Sequence, residues 1–219
     1  MNAPTDRYIP ALAYDWLTPA YDTVVRLTTR EATFKSALLD QANLHAGQQV
    51  LDLACGTATL TIAAKQQQPG IEIAGMDGDP SILARARVKA ERAGTAIQFD
   101  QALSTAMPYE AARFDRVLCS LFFHHLSTAN KRKTFVELAR VLKPGGELHI
   151  ADWGQAQNPL MRIAFYGIQL LDGFDNTVDN VNGLLPSLMQ EAGFSDVSET
   201  RRFATMWGTL SLYRARRPV

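Results

Sequence analysis

Between Gln49 and Trp153, short apolar runs alternate with helix-patterned stretches, and that alternation constrains the fold more than any other feature of this chain. QVLDLA, from Gln49, is a run of the kind that makes a buried parallel strand. Residues 59–67 read as a helix, stopped by Pro69-Gly70. IEIAGMD is a second strand, after which Pro80 opens the helix SILARARVKAERAG, ended by Gly94. AIQFDQA and RFDRVLCS supply the third and fourth strands. Residues 128–142 carry Phe135, Leu138, Val141 and Leu142 at helical spacing; Lys143-Pro144-Gly145-Gly146 is the stop, and ELHIADW the fifth strand. Strands separated by helices imply a parallel, doubly wound α/β sheet. LLPSLMQEAGF then reads as one more helix. VSETRRFAT and TLSLYRARR, joined by a short Met-Trp-Gly link, pair as an antiparallel hairpin at the sheet edge.

Length and charge narrow the function. The 219 residues suit one domain, 1–219, in which 1–45 reads as an N-terminal helical lid and 154–182 as an insertion roofing a ligand site. Twenty-two Lys plus Arg balance twenty-two Asp plus Glu, so no basic surplus points to nucleic acid. Arg214, Arg216 and Arg217 are accounted for as solvated strand-end charges. No apolar run is long enough to span a membrane, and the first residues lack a secretory signal pattern. Cys55 and Cys119 make no disulfide framework, so a reducing cytoplasm is expected; a homodimer is left open. The four His have no metal-site spacing and the cysteines no paired ligand motif, so no metal is expected. No Gly-x-Ser-x-Gly elbow is present either.

In an open parallel sheet, ligands sit beyond the carboxyl ends of the strands, where strand order reverses. The first strand ends in Asp52-Leu53-Ala54-Cys55-Gly56-Thr57-Ala58, small residues that admit a ligand to the backbone or, equally, permit tight strand–helix packing. The second ends in Asp77, twenty-five positions after Asp52. An acid there can accept hydrogen bonds from a ribose diol, or it can be a solvated turn residue; the two features reinforce each other. A dinucleotide loop would read G-x-G-x-x-G, but here only Gly56 stands in it beside an acid, Asp52, at the strand end. That disfavours a nicotinamide dinucleotide. It suits a nucleoside without phosphates but with an ammonium, such as S-adenosylmethionine (SAM).

VLDLACGTATL, GMDGDPSIL, AMPYEAARFDRVLCSLFFHHL and ARVLKPGGELHIADW, in this order and spacing, resemble the successive motifs of class I SAM-dependent methyltransferases. The nearest flavour is the ubiquinone/menaquinone C-methyltransferase-like group, over roughly Tyr14 to Trp153. The resemblance implies a Rossmann-like seven-stranded sheet, mostly parallel with a C-terminal antiparallel hairpin, and a helical lid. It implies that Ala54, Cys55 and Gly56 line the methionine part of SAM, that Asp77 holds the ribose hydroxyls and that Gly78 lies beside the adenine. Cys119 and Ser120 would flank the methionine tail, and Tyr21 could close over the cofactor. The chain departs from the family pattern where Ala54 and Ala58 replace the usual glycines. The Asp-Ala pair found near the adenine amine falls on Leu103-Ser104 when counted back from Met107-Pro108.

The acceptor side is less constrained. Neighbouring His124 and His125 follow the fourth strand; being adjacent, only one is expected to face a pocket, as general base or as a packing residue. Asp152, ending the fifth strand, is the other candidate acid or base. In-line displacement from a sulfonium can also run on positioning and desolvation alone. Leu160, Ile163, Ala164, Gly167, Ile168 and Leu171 fall on one helical stripe, widened by Met161, Phe165 and Tyr166. With Tyr14, Trp16, Trp153 and Phe174 they suggest an apolar, aromatic pocket for a small acceptor. The competing reading is a SAM-binding protein without catalysis, because two loop glycines and the adenine Asp are missing.

Overall fold

The computed structural model describes residues 30–219. The elements run α1 (Glu31–Ala42), β1 (Gln49–Leu53), α2 (Thr59–Gln67), β2 (Glu72–Asp77), α3 (Pro80–Arg92), β3 (Gln98–Gln101) and β4 (Phe114–Ser120). A 3-10 turn, Phe123–His125, leads to α4 (Thr128–Val141) and β5 (Leu142–Trp153). Three short helices follow, α5 (Pro159–Ala164), α6 (Tyr166–Asp172) and α7 (Phe174–Val181), then α8 (Leu185–Glu191), β6 (Ser195–Thr205) and β7 (Gly208–Arg216).

One seven-stranded sheet holds them in the order β3-β2-β1-β4-β5-β7-β6. The first five strands pair in parallel, and β7 is antiparallel to both β5 and β6. Strand order reverses between β1 and β4, so the switch point lies where Leu53 pairs with Cys119. This is the α/β, doubly wound, Rossmann-like arrangement with a C-terminal hairpin that the pattern predicts.

Strand alternation distributes the core over both faces. Leu51 and Leu53 join Met76, Val117, Cys119, Phe135 and Leu138 on the α4 face. Val50 joins Phe34, Leu38, Ile73, Leu118 and Trp153 on the α1 face. Each such fully buried Leu or Phe contributes about 1.5–3 kcal/mol. Thus α1, which falls within the stretch read as a lid, is a core helix lying on the sheet.

Two details differ from the sequence reading. α4 ends at Val141, and Lys143-Pro144-Gly145-Gly146 belongs to β5 as an irregularity: pairing runs Phe114–Leu142, then resumes at Arg116–Glu147. The second concerns the roof. The expected apolar stripe does not form, because the segment breaks at Phe165 and again at Gly173 (φ 89°) into three short helices. Leu160, Ile163 and Leu171 are exposed, whereas Phe165, Gln169, Thr177, Asp179 and Asn180 are buried. A three-helix path turns different residues inward than one continuous helix would.

Polar contacts tie the roof down. Lys131 of α4 is buried, with Nζ 2.9 Å from Asp179 Oδ2 and 2.5 Å from the Asn176 carbonyl. Thr128 donates to Asp179 at 2.8 Å, and Asn180 donates to the Trp153 carbonyl at 2.9 Å. α7 is therefore fixed to α4 and to the end of β5.

Candidate active site

The loop after β1 is bent by three residues in the left-handed region: Ala54 (φ 55°), Gly56 (φ 55°) and Ala58 (φ 62°). For the two alanines this costs about 1–2 kcal/mol each. Such strain persists only where surrounding structure over-determines it. Here Cys55 N donates to the Met76 carbonyl at 3.0 Å, Gly56 N to Asp77 Oδ2 at 3.0 Å, and Ala58 N to the Cys55 carbonyl at 2.9 Å. The alanines therefore adopt the left-handed conformation that glycine takes most readily. A Cβ built on Gly56 would meet nothing within 4 Å, so the loop edges open space. Ala58 caps α2 without a side-chain hydrogen bond; the Thr61 N–H turns to Asp52, which leaves the N–H groups of Thr59 and Leu60 for a ligand.

Two acids flank this loop. Asp52 is buried, accepts from Thr61 Oγ1 at 2.6 Å, and is pushed up to about 6 by burial, with the charge of Asp77 adding to the shift. Asp77 accepts Gly56 N on one oxygen and Asp79 N on the other, each at 3.0 Å. Burial raises its pKa against those bonds. With the Gly78 N–H also directed at it, the carboxylate still keeps acceptor capacity for a further donor. Free helical N–H groups for a carboxylate, nearby carboxylates for an ammonium, and spare acceptors on Asp77 for a ribose diol together fit SAM.

The remaining expected cofactor residues fall out as follows. Gly78 follows Asp77, and its carbonyl accepts from Gln101 Nε2 at 3.5 Å. Ser120 ends β4, paired with Ala151. Cys119 is fully buried and Cys55 nearly so, and burial pushes both thiols far up. Leu103 is exposed, but Ser104 is buried with its hydroxyl 2.8 Å from that of Thr134, toward α4. β3 ends at Gln101, so Leu103 and Ser104 stand two and three residues beyond the strand end. A small turn follows, closed by Ala106 N to the Leu103 carbonyl at 3.0 Å. Tyr21, Tyr14 and Trp16 lie outside the described residues.

The thiols offer a test of this placement. Cys119 should resist alkylation in the folded protein, leaving Cys55 to label slowly, and saturating SAM should slow Cys55 further. Mass-spectrometric labelling rates that do not change with SAM would move Cys55 away from the cofactor.

On the acceptor side the structure corrects the expectation that neighbouring histidines diverge. The rings of His124 and His125 lie 4.0 Å apart, tilted by 40°, and both face Asp172 of α6. The tight turn that carries them, with Phe123 N and Phe122 N held by Asp152, folds the backbone so that both rings lean the same way. His124 Nδ1 is 2.6 Å from Asp152 Oδ1. Asp152 also accepts Phe123 N at 2.6 Å and Trp153 N at 2.7 Å and is fully buried, so it orients His124 and is saturated by the protein. Burial opposes a charged His124, but the charge and hydrogen bond of Asp152, with Asp172 behind, outweigh it and raise its pKa. His125 goes the other way, down to about 3, through burial and the adjacent His124. Trp153 meets the His124 ring edge-on at 6.3 Å and packs against Phe165 at 5.5 Å. Asp172 was missed by sequence reading; a lone Asp in an apolar roof segment carries no motif.

Comparison with known proteins places the chain in a family. The family described as methyltransferase domain matches residues 50–146. A methyltransferase of Synechocystis, itself uncharacterised, is 30% identical over 207 residues, 93% of this chain and 92% of that protein. A demethylmenaquinone methyltransferase of Thermus thermophilus is 35% identical over 139 residues, 63% of this chain. That match spans only 62% of the Thermus protein. Among solved structures, Haemonchus contortus phosphoethanolamine N-methyltransferase 2 with bound SAM superposes with a TM-score of 0.70 at 17% identity, over 85% of this chain and 53% of that one. The [4+2]-cyclase SpnF does so at 0.69 and 17%, over 85% and 81%. The chain belongs to the class I SAM-dependent methyltransferases, whose cofactor is S-adenosylmethionine.

Proposed function

We propose that this protein transfers the methyl group of SAM to a small, mainly apolar, ring-bearing acceptor, in the class of quinone precursors. The observation that carries the reading is the Trp153–Phe165 aromatic pair beside the His124–Asp152 pair, at the carboxyl ends of β4 and β5. Aromatic walls hold a ring, and a few placed polar groups fix its orientation. The name of the Thermus relative supports a quinone-type acceptor. Residues 154–182 form the roof in this reading, and His124 and His125 meet the polar substituents of the acceptor while Asp152 positions His124. SAM supplies an electrophilic methyl; the protein's part is to align the acceptor atom with it and exclude water, effects worth several orders of magnitude.

A panel of dihydroxy-aromatic and quinol acceptors, assayed with methyl-labelled SAM, tests this. Phe165→Ala should raise the acceptor KM about tenfold, equivalent to about 1.4 kcal/mol of lost apolar contact, and leave SAM affinity unchanged. Tight SAM binding without labelled product across such a panel would favour the non-catalytic reading. The cyclase of the same fold shows that this architecture also hosts other chemistry.

A further inference from the structure

We infer that His124, His125 and Asp172 form a three-ligand site for a divalent metal of the zinc class, a role the His spacing in sequence does not suggest. The nitrogens and the carboxylate converge: His124 Nε2 lies 3.6 Å from Asp172 Oδ2, and His125 Nδ1 lies 3.6 Å from Asp172 Oδ1. All three ligand atoms fall within 4.8 Å of one another. A separation of 3.6 Å is too long for a hydrogen bond. It is, however, the length of a coordination-polyhedron edge, since two ligands about 2.1 Å from one ion and this far apart subtend about 118° there; the histidines approach different oxygens of Asp172, so the carboxylate would bind through both oxygens or turn one to the ion. A span of up to 4.8 Å exceeds what one ion bridges, and binding would close it by a side-chain rotation, for which His125, a quarter exposed, has room.

What surrounds the cluster is built as metal sites are built. A ligating imidazole generally donates its other N–H to a carboxylate, which fixes the tautomer and turns the free lone pair to the metal. Asp152 does this for His124, through Nδ1 at 2.6 Å, and is itself pinned by three backbone N–H groups. Asp172 is held from the other side. It ends α6 at Gly173, its carbonyl accepts from Asn176 Nδ2 at 3.2 Å, and α7 is anchored by the Lys131–Asp179 pair. Two imidazoles and one carboxylate suit zinc, cobalt or ferrous iron, whereas magnesium and calcium prefer all-oxygen shells. Three protein ligands leave a position open, as in catalytic sites, where an acceptor oxygen could bind. The inference stands whether or not the acceptor is a quinol, because its test reads metal.

The full chain, stripped with chelator and dialysed, is titrated with cobalt(II) and zinc(II). The expected result is one equivalent per chain, with the intense visible absorption of low-coordinate cobalt, displaced by zinc. His125→Ala and Asp172→Ala should abolish stoichiometric binding while circular dichroism and SAM affinity stay normal. Asp152→Asn should keep the stoichiometry but weaken binding about 10–100-fold. A folded wild-type protein that takes up no stoichiometric cobalt or zinc overturns the site. So does undiminished binding in both His125→Ala and Asp172→Ala, which would put the metal elsewhere.

Discussion

Asp77→Ala should weaken SAM binding by about 1.5–3 kcal/mol, roughly 10–150-fold, the range for losing hydrogen bonds to a charged acceptor. The structure adds a second route to the same loss. Asp77 anchors the loop through Gly56 N and the start of the following turn through Asp79 N, each at 3.0 Å. Removing the carboxylate therefore frees the left-handed loop as well as the ribose contact. Asp77→Asn separates the two routes: it keeps one oxygen for a backbone N–H but turns an NH2 toward donors, so its affinity should fall close to that of Ala. The fold should survive, because Asp77 is only half-buried at a strand end. Wild-type affinity by isothermal titration in a folded Asp77→Ala protein would remove this residue from the site.

Asp52→Asn should do something less usual, stabilising the ligand-free protein while damaging cofactor binding. Burial lifts the Asp52 pKa from an ordinary 3.8 to about 6. Between those values the folded chain holds a proton that the unfolded chain has released, so stability falls as pH rises from about 4 to about 6 and stays lower above. The ceiling of that loss is about 3 kcal/mol. Asn carries no charge and still offers an oxygen to the Thr61 hydroxyl, so the variant should exceed wild type by about 1–3 kcal/mol at pH 8, with the gap closing toward pH 4. Denaturant midpoints at the two pH values measure this. A variant less stable than wild type at pH 8 would mean that the buried carboxylate is already well compensated. A destabilising acid retained at the edge of a ligand site is expected where the ligand brings the compensating charge, here the ammonium of SAM.

Much of this was legible without coordinates. The apolar runs QVLDLA and RFDRVLCS could only be buried strands, and Asp52 and Asp77 stand at the ends of their strands wherever the chain is placed in such a sheet. The turn around Gly56 was readable although two of its glycines are alanines, since loop position and strand ends carry the signal. Counting could not foresee that the Ser104 hydroxyl meets Thr134 of α4, a contact made across thirty residues of sequence. It failed again in the roof, where apolar spacing suited one helix but breaks at Phe165 and Gly173 divide it.

The sequence by itself thus determined the sheet and the two acids at the carboxyl ends of its first two strands. Those features follow from local periodicity and from residues close together along the chain. Only the tertiary structure brought the histidines and their acidic partners together. Asp172 comes from α6, forty-seven positions beyond His125, and Asp152 comes from the neighbouring strand, twenty-eight beyond His124. Their meeting depends on how β4 and β5 pair and on where Lys131 and Asn180 pin the roof, long-range contacts that leave no period or spacing in the sequence.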